Sequence, residues 1–293
     1  MAENVKALRR RLRSIRNTRQ ITRAMEMVSA AKLRRAQETL MAGRPYAAKL
    51  QELLGRLAGT RISHPLFEKR EVRRRLLVLI TADRGLAGAF NANTIKRAEQ
   101  ILRESGAPST DMVCVGRKGH DYFRTRKVNI VFSVTDLGGK LSSERTNEIA
   151  ERVTELFLDG SYDEVFVLYN AFVSTLVYRT TLEKLLPLDQ DALLGGAEAE
   201  LPASTRNLEY IMEPSPEAVL STLLPRFVKS KMYIIMAEVF TAEHSARMVA
   251  MSGATKNCQE LMEKVSLQMN KARQAAITKE ILEIVGGAEA LKG

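Results

Sequence analysis

The chain has 293 residues, room for one medium domain with an extension or for two domains, and 45% of them are hydrophobic. Its net charge is +11, yet no apolar run approaches the ~20 residues that cross a bilayer, and no signal-peptide core stands near its start. Cys114 and Cys258 have neither metal nor redox spacing, which argues against a zinc module or a disulfide scaffold and suits a reducing compartment with both thiols as small buried groups.

Charge and aromatics are unevenly placed. Residues 1–44 hold twelve Lys and Arg against three Asp and Glu, whereas the remainder holds thirty-three against thirty-one. A basic segment of this kind suits an acidic protein partner, nucleic acid or an anionic membrane surface, or is simply a solvated face. All 16 Phe and Tyr lie between Tyr46 and Phe240, and tryptophan is absent. Aromatics fill three-dimensional cores, whereas Ala, Leu, Met and Val suffice along a two-helix seam. The core is therefore expected in the middle of the chain.

Residues 1–58 read as one long helix. A three-four alternation picks out Val5, Leu8, Leu12 and Ile15, then Leu33, Ala36, Leu40, Ala47, Leu50, Leu54 and Leu57. Between these groups the same phase lands on Arg19, Thr22, Glu26 and Ser29, while Ile21, Met25 and Val28 form a shifted stripe, which predicts a stutter. Gly43 and Pro45 are expected to bend or weaken the helix. The start is arginine-rich and amphipathic like a transit peptide, but the heptads begin at Val5 and continue, which marks the segment as structural.

Residues 72–212 read as an α/β domain. Residues 76–82 are a continuous apolar run, as in a strand buried on both faces. Asn91 or Asn93 can cap a helix to about Glu104. Strands are expected at 111–115 and 128–134, with a short helix at 118–126 between them. Ser142 or Ser143 can cap a helix that ends at Asp159-Gly160, and strands follow at 164–170 and 174–182. Alternating strands and helices predict a mainly parallel, Rossmann-like sheet covered on both sides. Residues 192–204, with Gly195-Gly196 and Pro202, read as a loop.

Residues 215–285 predict a second long helix. Ser215-Pro216-Glu217 is a start signal and Gly286-Gly287 the matching stop. Val228, Met232, Ile235, Val239, Ala242, Ala246 and Val249 form one stripe; Ala254, Cys258, Leu261, Val265, Met269, Ala272 and Ala276 carry it on in a changed phase. At 1.5 Å per residue the helix would be about 100 Å long, too long for a small domain to contain. The two terminal helices are expected to pack on each other as an antiparallel coiled coil, since neither can hide its stripe alone. The predicted division is 1–58 and 213–287 for the helices and 72–212 for the α/β domain.

Few residues suggest chemistry. TADRGLAGAFN (81–91) has the layout of a phosphate-binding turn, but Gly85 and Gly88 make neither G-x-G-x-x-G nor a P-loop. A nucleotide site there competes with a tight turn in which Asp83 and Arg84 satisfy local backbone or each other. His64, His120 and His244 stand in unrelated contexts, and neither a G-x-S-x-G elbow nor a cysteine with an evident base is present. More unusual are TRAMEMVSAAK (22–32), SARMVAMSGATKN (245–257) and NKARQAAITKEI (270–281). They place methionines, small residues and isolated cations where a static coiled coil prefers Leu and Ile. Such faces suit either a loose seam or contact with several partner surfaces.

These stretches, with ITRAMEMV (21–28), TADRGLAG (81–88) and ARMVAM (246–251), resemble the gamma subunits of F-type ATP synthases over essentially the whole chain. In that family the corresponding motifs are I-T-K/R-A-M-E-M-V, T/S-D-R-G-L-x-G, A-R-M-V-A-M and N-x-A-R-Q-x-x-I-T-x-E-I. Departures are small: Ala82 intervenes before Asp83, and Ala87 stands where cysteine is frequent. The chloroplast-type insertion with its cysteine pair has no counterpart, so thiol control is not expected.

The resemblance implies a central rotary shaft without catalytic residues, metal or cofactor of its own. Its helices would turn inside a ring of three alpha and three beta subunits, and its α/β domain would stand on the c-ring beside the epsilon subunit. Carried over by motif, Arg273, Gln274 and Thr278 would face beta-subunit loops. Met25 and Arg247 would approach each other and the acidic beta levers. Tyr210, Met212 and Glu213 would lie at the c-ring end, with Met212 where an aromatic is sometimes found, and residues 277–293 would occupy an apical sleeve. The complex would be peripheral on the cytoplasmic face of a bacterial inner membrane, with membrane association only through its partners. It would couple proton or sodium flow to ATP synthesis or hydrolysis, with no nucleic-acid role. The alternative is a basic coiled-coil scaffold that binds nucleic acid or an anionic membrane.

Overall fold

The computed structural model describes residues 2–58, 64–104, 109–190, 193, 213 and 215–290. Two helices dominate it, α1 (Ala2–Ala58) and α5 (Pro216–Ala290). Between them lie β1 (Arg74–Ile80), α2 (Phe90–Glu104), β2 (Ser109–Val115), α3 (Arg117–Phe123) and β3 (Ile130–Val134), then α4 (Ser143–Leu158), β4 (Glu164–Phe172) and β5 (Tyr178–Leu186). The chain forms two compact units. One contains Met1–Ser29 with Arg247–Gly293, the other Ala30–Ala246, so α1 and α5 each contribute to both.

The first unit is a two-helix pair. Thr22 and Thr255 hydroxyls share a hydrogen bond of 2.9 Å, and the Arg19 guanidinium donates to Gln259 Oε1. Three residues back on α1 thus correspond to four forward on α5, so the helices are antiparallel. That register brings Ile15 level with Met262, Leu12 with Val265 and Leu8 with Met269, all sheltered positions. The expected stutter in α1 is not present. Thr22 and Ser29 are buried and Arg19 and Glu26 half-buried, while Ile21 and Val28 are 59% and 57% exposed. The seam keeps one phase and runs through its own polar residues, two of which, Arg19 and Thr22, have hydrogen-bond partners on α5. On α5, Met262 takes the sheltered place expected for Leu261, which is exposed, and Val249 is exposed too.

The second unit is built on a five-stranded sheet of order β3-β2-β1-β4-β5, parallel except for β5 on β4. Register aligns Val78 with Val113 and Val167, and Leu79 with Cys114 and Leu168, so each neighbouring pair shares a face. One face packs Leu76, Val78 and Ile80 with Phe157 of α4, Leu50 and Leu54 of α1, and Leu224, Val228 and Val239 of α5. The other packs Leu77, Leu79 and Cys114 with Ala98 of α2 and Phe123 of α3. Burial pushes the Cys114 thiol up to about 12, which leaves it a small inert core group. In this unit α1 approaches α5 closely at Gly43, where a Cβ would lie 3.1 Å from Ile234 Cδ1 and 3.3 Å from the Tyr233 ring. Helix α1 runs through both Gly43 and Pro45.

Most local signals are realised. Ser142 caps α4 by accepting from Arg145 N–H, Gly160 follows that helix with φ of 78°, and Ser215 accepts from Ala218 N–H at the start of α5. Three expectations fail. Asn91 does not cap α2; its side-chain oxygen accepts from Ala82 N–H and ties the end of β1 to the helix. Strand β5 begins at Tyr178, because residues 173–177 form the hairpin turn. Gly286-Gly287 does not stop α5, which continues to Ala290: glycine permits the left-handed cap without compelling it, and the following Ala-Glu-Ala favours helix. The expected loop at 192–204 lies outside the described residues except for Leu193, which is buried.

Gly116 between β2 and α3 has φ of 95°, and a Cβ there would lie 2.0 Å from the Thr81 carbonyl oxygen. Gly138 has φ of 65° but nothing within 4 Å. Gly116→Ala is expected to cost at least about 3 kcal/mol in denaturant unfolding, and Gly138→Ala only about 1 kcal/mol of backbone strain. In the seam, Thr255→Val alone is expected to cost about 1 kcal/mol by native-state hydrogen exchange. The double change Thr22→Val and Thr255→Val should cost no more than about 0.5 kcal/mol beyond that, since each hydroxyl also donates to its own helix, Thr22 to the Arg19 carbonyl and Thr255 to the Met251 carbonyl, and only the shared bond is lost.

Candidate partner-contact surfaces

A two-helix unit hides one stripe per helix and presents everything else. On α1, Lys6, Arg9, Arg10, Arg11, Arg13, Arg16 and Arg23 are all exposed, and none has an ion-pair partner among the described residues. Exposed Ile21, Met27 and Val28 share the same helix. On α5, Val249, Leu261 and Leu267 are exposed, and past Ala276 no residue up to Ala288 is sheltered. That last stretch carries Ile277, Ile281, Leu282, Ile284 and Val285 into solvent. Unpaired cations and a run of large apolar side chains on one small unit mark a surface that other molecules cover.

The residues singled out from sequence fall on this unit unevenly. Arg273, Gln274 and Thr278 are exposed on α5, free of the seam and facing outward. Met25 is half-buried and Arg247 is 8% exposed, so the latter is part of the packing rather than a free cation. The helix register places Met25 level with Ser252, about one and a half turns from Arg247. Glu213 is exposed, while Tyr210 and Met212 lie outside the described residues. Sequence reading missed the polar cross-links Thr22–Thr255 and Arg19–Gln259. The signal was present: four polar residues in an unbroken heptad phase.

The turn after β1 occupies the place where a doubly wound sheet binds ligands, beyond the strand ends where the order reverses between β1 and β4. Here its polar groups are already engaged. Asp83 Oδ1 accepts from the N–H groups of Arg117 and Asp136 at 3.0 and 3.1 Å, and Oδ2 from Gly138 N–H at 3.1 Å. One carboxylate thus ties the turn after β1 to the segments that follow β2 and β3. Thr81 adds to this, its hydroxyl oxygen accepting from Gly119 N–H at 2.9 Å. Between β1 and β4 the crevice is filled. Asn170, fully buried, donates to the Phe90 carbonyl at 2.9 Å and accepts from Thr180, and the Phe90 and Tyr178 rings meet edge to face 5.5 Å apart. The turn works as a structural clasp, with Asp83 reaching the segments after β2 and β3 rather than the local backbone or Arg84 that the tight-turn reading expects.

Among the described residues no group of three or more His, Cys, Asp or Glu is placed to hold a metal ion, and no helix is long and apolar enough to cross a membrane.

Comparison with known proteins places this architecture. A family model described as ATP synthase matches residues 4–291. The ATP synthase gamma chain of Symbiobacterium thermophilum is 47% identical over 297 residues, covering 100% of both chains. That of Moorella thermoacetica is 48% identical over 292 residues, covering 99% of each. Among solved structures, a chain of the Euglena gracilis mitochondrial ATP synthase in rotational state 3 superposes with a TM-score of 0.68 at 20% identity, covering 99% of this chain and 95% of that one. A chain of the central stalk and c-ring structure from Tetrahymena thermophila gives 0.61 at 24% identity, covering 80% and 99%. At those identities the structures speak for the fold alone. The whole-length matches at nearly half identity carry the assignment: the chain belongs to the ATP synthase family, among its gamma chains.

Proposed function

We propose that this chain is the central rotary shaft of an F-type ATP synthase, passing ion-driven rotation of a c-ring to the catalytic beta subunits and running in reverse during hydrolysis. The observation that carries the reading is the fully exposed last part of α5, whose large apolar side chains only a surrounding partner can cover. In this proposal that partner is the ring of alpha and beta subunits, with the epsilon subunit and the c-ring at the α/β domain; membership of the gamma-chain family supports the reading. The division into shaft helices (1–58 and 213–287) and a c-ring-side domain (72–212) belongs to the same proposal. So does a peripheral location on the cytoplasmic face of a bacterial inner membrane, with protons or sodium ions as the coupling ion.

The mechanism asks of the shaft only that it present different surfaces in different directions. A ligand shifts a conformational equilibrium through differential contacts with its states, and moving one from 1:99 to 99:1 takes about 5.5 kcal/mol of preference. A two-helix unit with seven exposed cations on one helix and exposed apolar residues on the other is asymmetric by construction. Each of three identical subunits around it would meet a different face, and turning it would permute their states. Exposed cations suit this task because long-range attraction to acidic loops needs no interlocked geometry, and exposed ion pairs are individually weak. In this reading Arg273, Gln274 and Thr278 meet beta-subunit loops, Met25 and Arg247 support the face that the acidic levers press on, and Tyr210, Met212 and Glu213 lie toward the c-ring.

Arg273→Ala with Gln274→Ala, assembled into the complex, is expected to lower ATP-driven ion pumping by roughly tenfold, the effect of about 1.4 kcal/mol. Because both side chains are exposed, unfolding of the isolated chain should be unchanged. Unchanged pumping would remove these residues from the contact surface. A chain that failed to co-purify with alpha and beta subunits, yet bound DNA in a steeply salt-dependent way, would favour the scaffold alternative.

A further inference from the structure

One cleft of the second unit lies apart from both the turn after β1 and the exposed faces of the two-helix unit. It encloses about 310 Å³ between α1, α5 and the loop that leads into α4. Lys32 and Arg35 enter it from α1 and Lys140 from the loop. No carboxylate lines it, and none of these three cations has an ion-pair partner among the described residues. The remaining wall is largely apolar, with Ala36, Ala237 and the Phe240 ring. The loop is clamped in place. His244, 3% exposed, donates from Nε2–H to the Gly139 carbonyl at 2.9 Å, and Gly139 lies so near that a Cβ would come within 3.1 Å of His244 Cε1. The cleft is therefore preformed.

We propose that this cleft binds a small organic phosphate, its phosphoryl group between Lys32, Arg35 and Lys140 and its planar body against Phe240. Three cations lining one cleft with no carboxylate among them match a dianion better than a single negative charge, and the guanidinium fork suits a tetrahedral oxyanion. The volume lies at the lower end of small-molecule sites, and inorganic phosphate alone would leave its apolar wall unused. The Thr39 hydroxyl also lines the cleft but already donates to the Arg35 carbonyl at 3.0 Å, so recognition falls to the cations.

Titration calorimetry of the full chain with phenyl phosphate tests this at a pH where the probe is a dianion. Saturable one-to-one binding is expected, weakened roughly tenfold by Arg35→Gln with Lys140→Gln and roughly tenfold weaker for inorganic phosphate. Both substituted side chains are exposed, so the variants should melt as the parent does. Arg34→Gln is the charge control: Arg34 stands on the same helix, exposed and paired with Glu38, and its loss should leave binding unchanged. Absence of saturation, or equal weakening by Arg34→Gln, would overturn the site. The readout needs no assembled ATPase, so it stands or falls separately from the rotary proposal.

Discussion

In the first unit two helices have only each other. A lone amphipathic helix is marginal in water, and here each stripe is closed by the other helix and by nothing else. This limits burial to one seam and leaves the outer faces of both helices to solvent. The exposure of Arg273, Gln274 and Thr278, and of the apolar side chains beyond Ala276, follows directly from that geometry. A unit of this kind has surface in excess of core, which suits a component that works by touching others.

The seam itself is chemically mixed. Toward the start of α1 it is apolar, with Leu8, Leu12 and Ile15 sheltered; farther on it passes through Arg19, Thr22, Glu26 and Ser29. Buried polar groups cost stability unless matched, and the Thr22–Thr255 and Arg19–Gln259 bonds supply matches at positions where leucines would have packed more tightly. Hydrogen bonds also fix register. A seam of identical leucines would tolerate a slip of one heptad, whereas Thr22 has its partner in only one alignment.

The second unit shows the opposite economy. Its sheet is covered on both faces, and carboxylates secure its two ends: Asp163 accepts from the N–H groups of Arg73 and Arg74 at the start of β1, and Asp83 gathers three amides beyond its end. The crevice that many sheets of this topology use for ligands is filled by Phe90 and Asn170. What results is a compact unit whose conspicuous loop motif serves the fold, and whose open basic cleft lies elsewhere, beside α1.

Much of this was legible in the residues, and the failures have identifiable causes. Strands such as β1, expected at 76–82 and observed at Arg74–Ile80, and the Ser142 and Ser215 starts depend on neighbours within a few positions, so local chemistry decided them. The supposed stutter in α1 arose because periodicity counts apolar side chains, and Ile21 and Val28 outvoted Thr22 and Ser29. Gly286-Gly287 resembles a stop, but a glycine pair permits either outcome. By itself the sequence determined two long helices, a mostly parallel sheet and the family to which they belong, because heptads, strand runs and motifs are properties of contiguous residues. Only the tertiary structure decided which polar residues enter the seam, that Asp83 clasps three segments, and that Lys32, Arg35 and Lys140 share one cleft. Each of these depends on residues far apart in the chain meeting at a distance of a few ångströms.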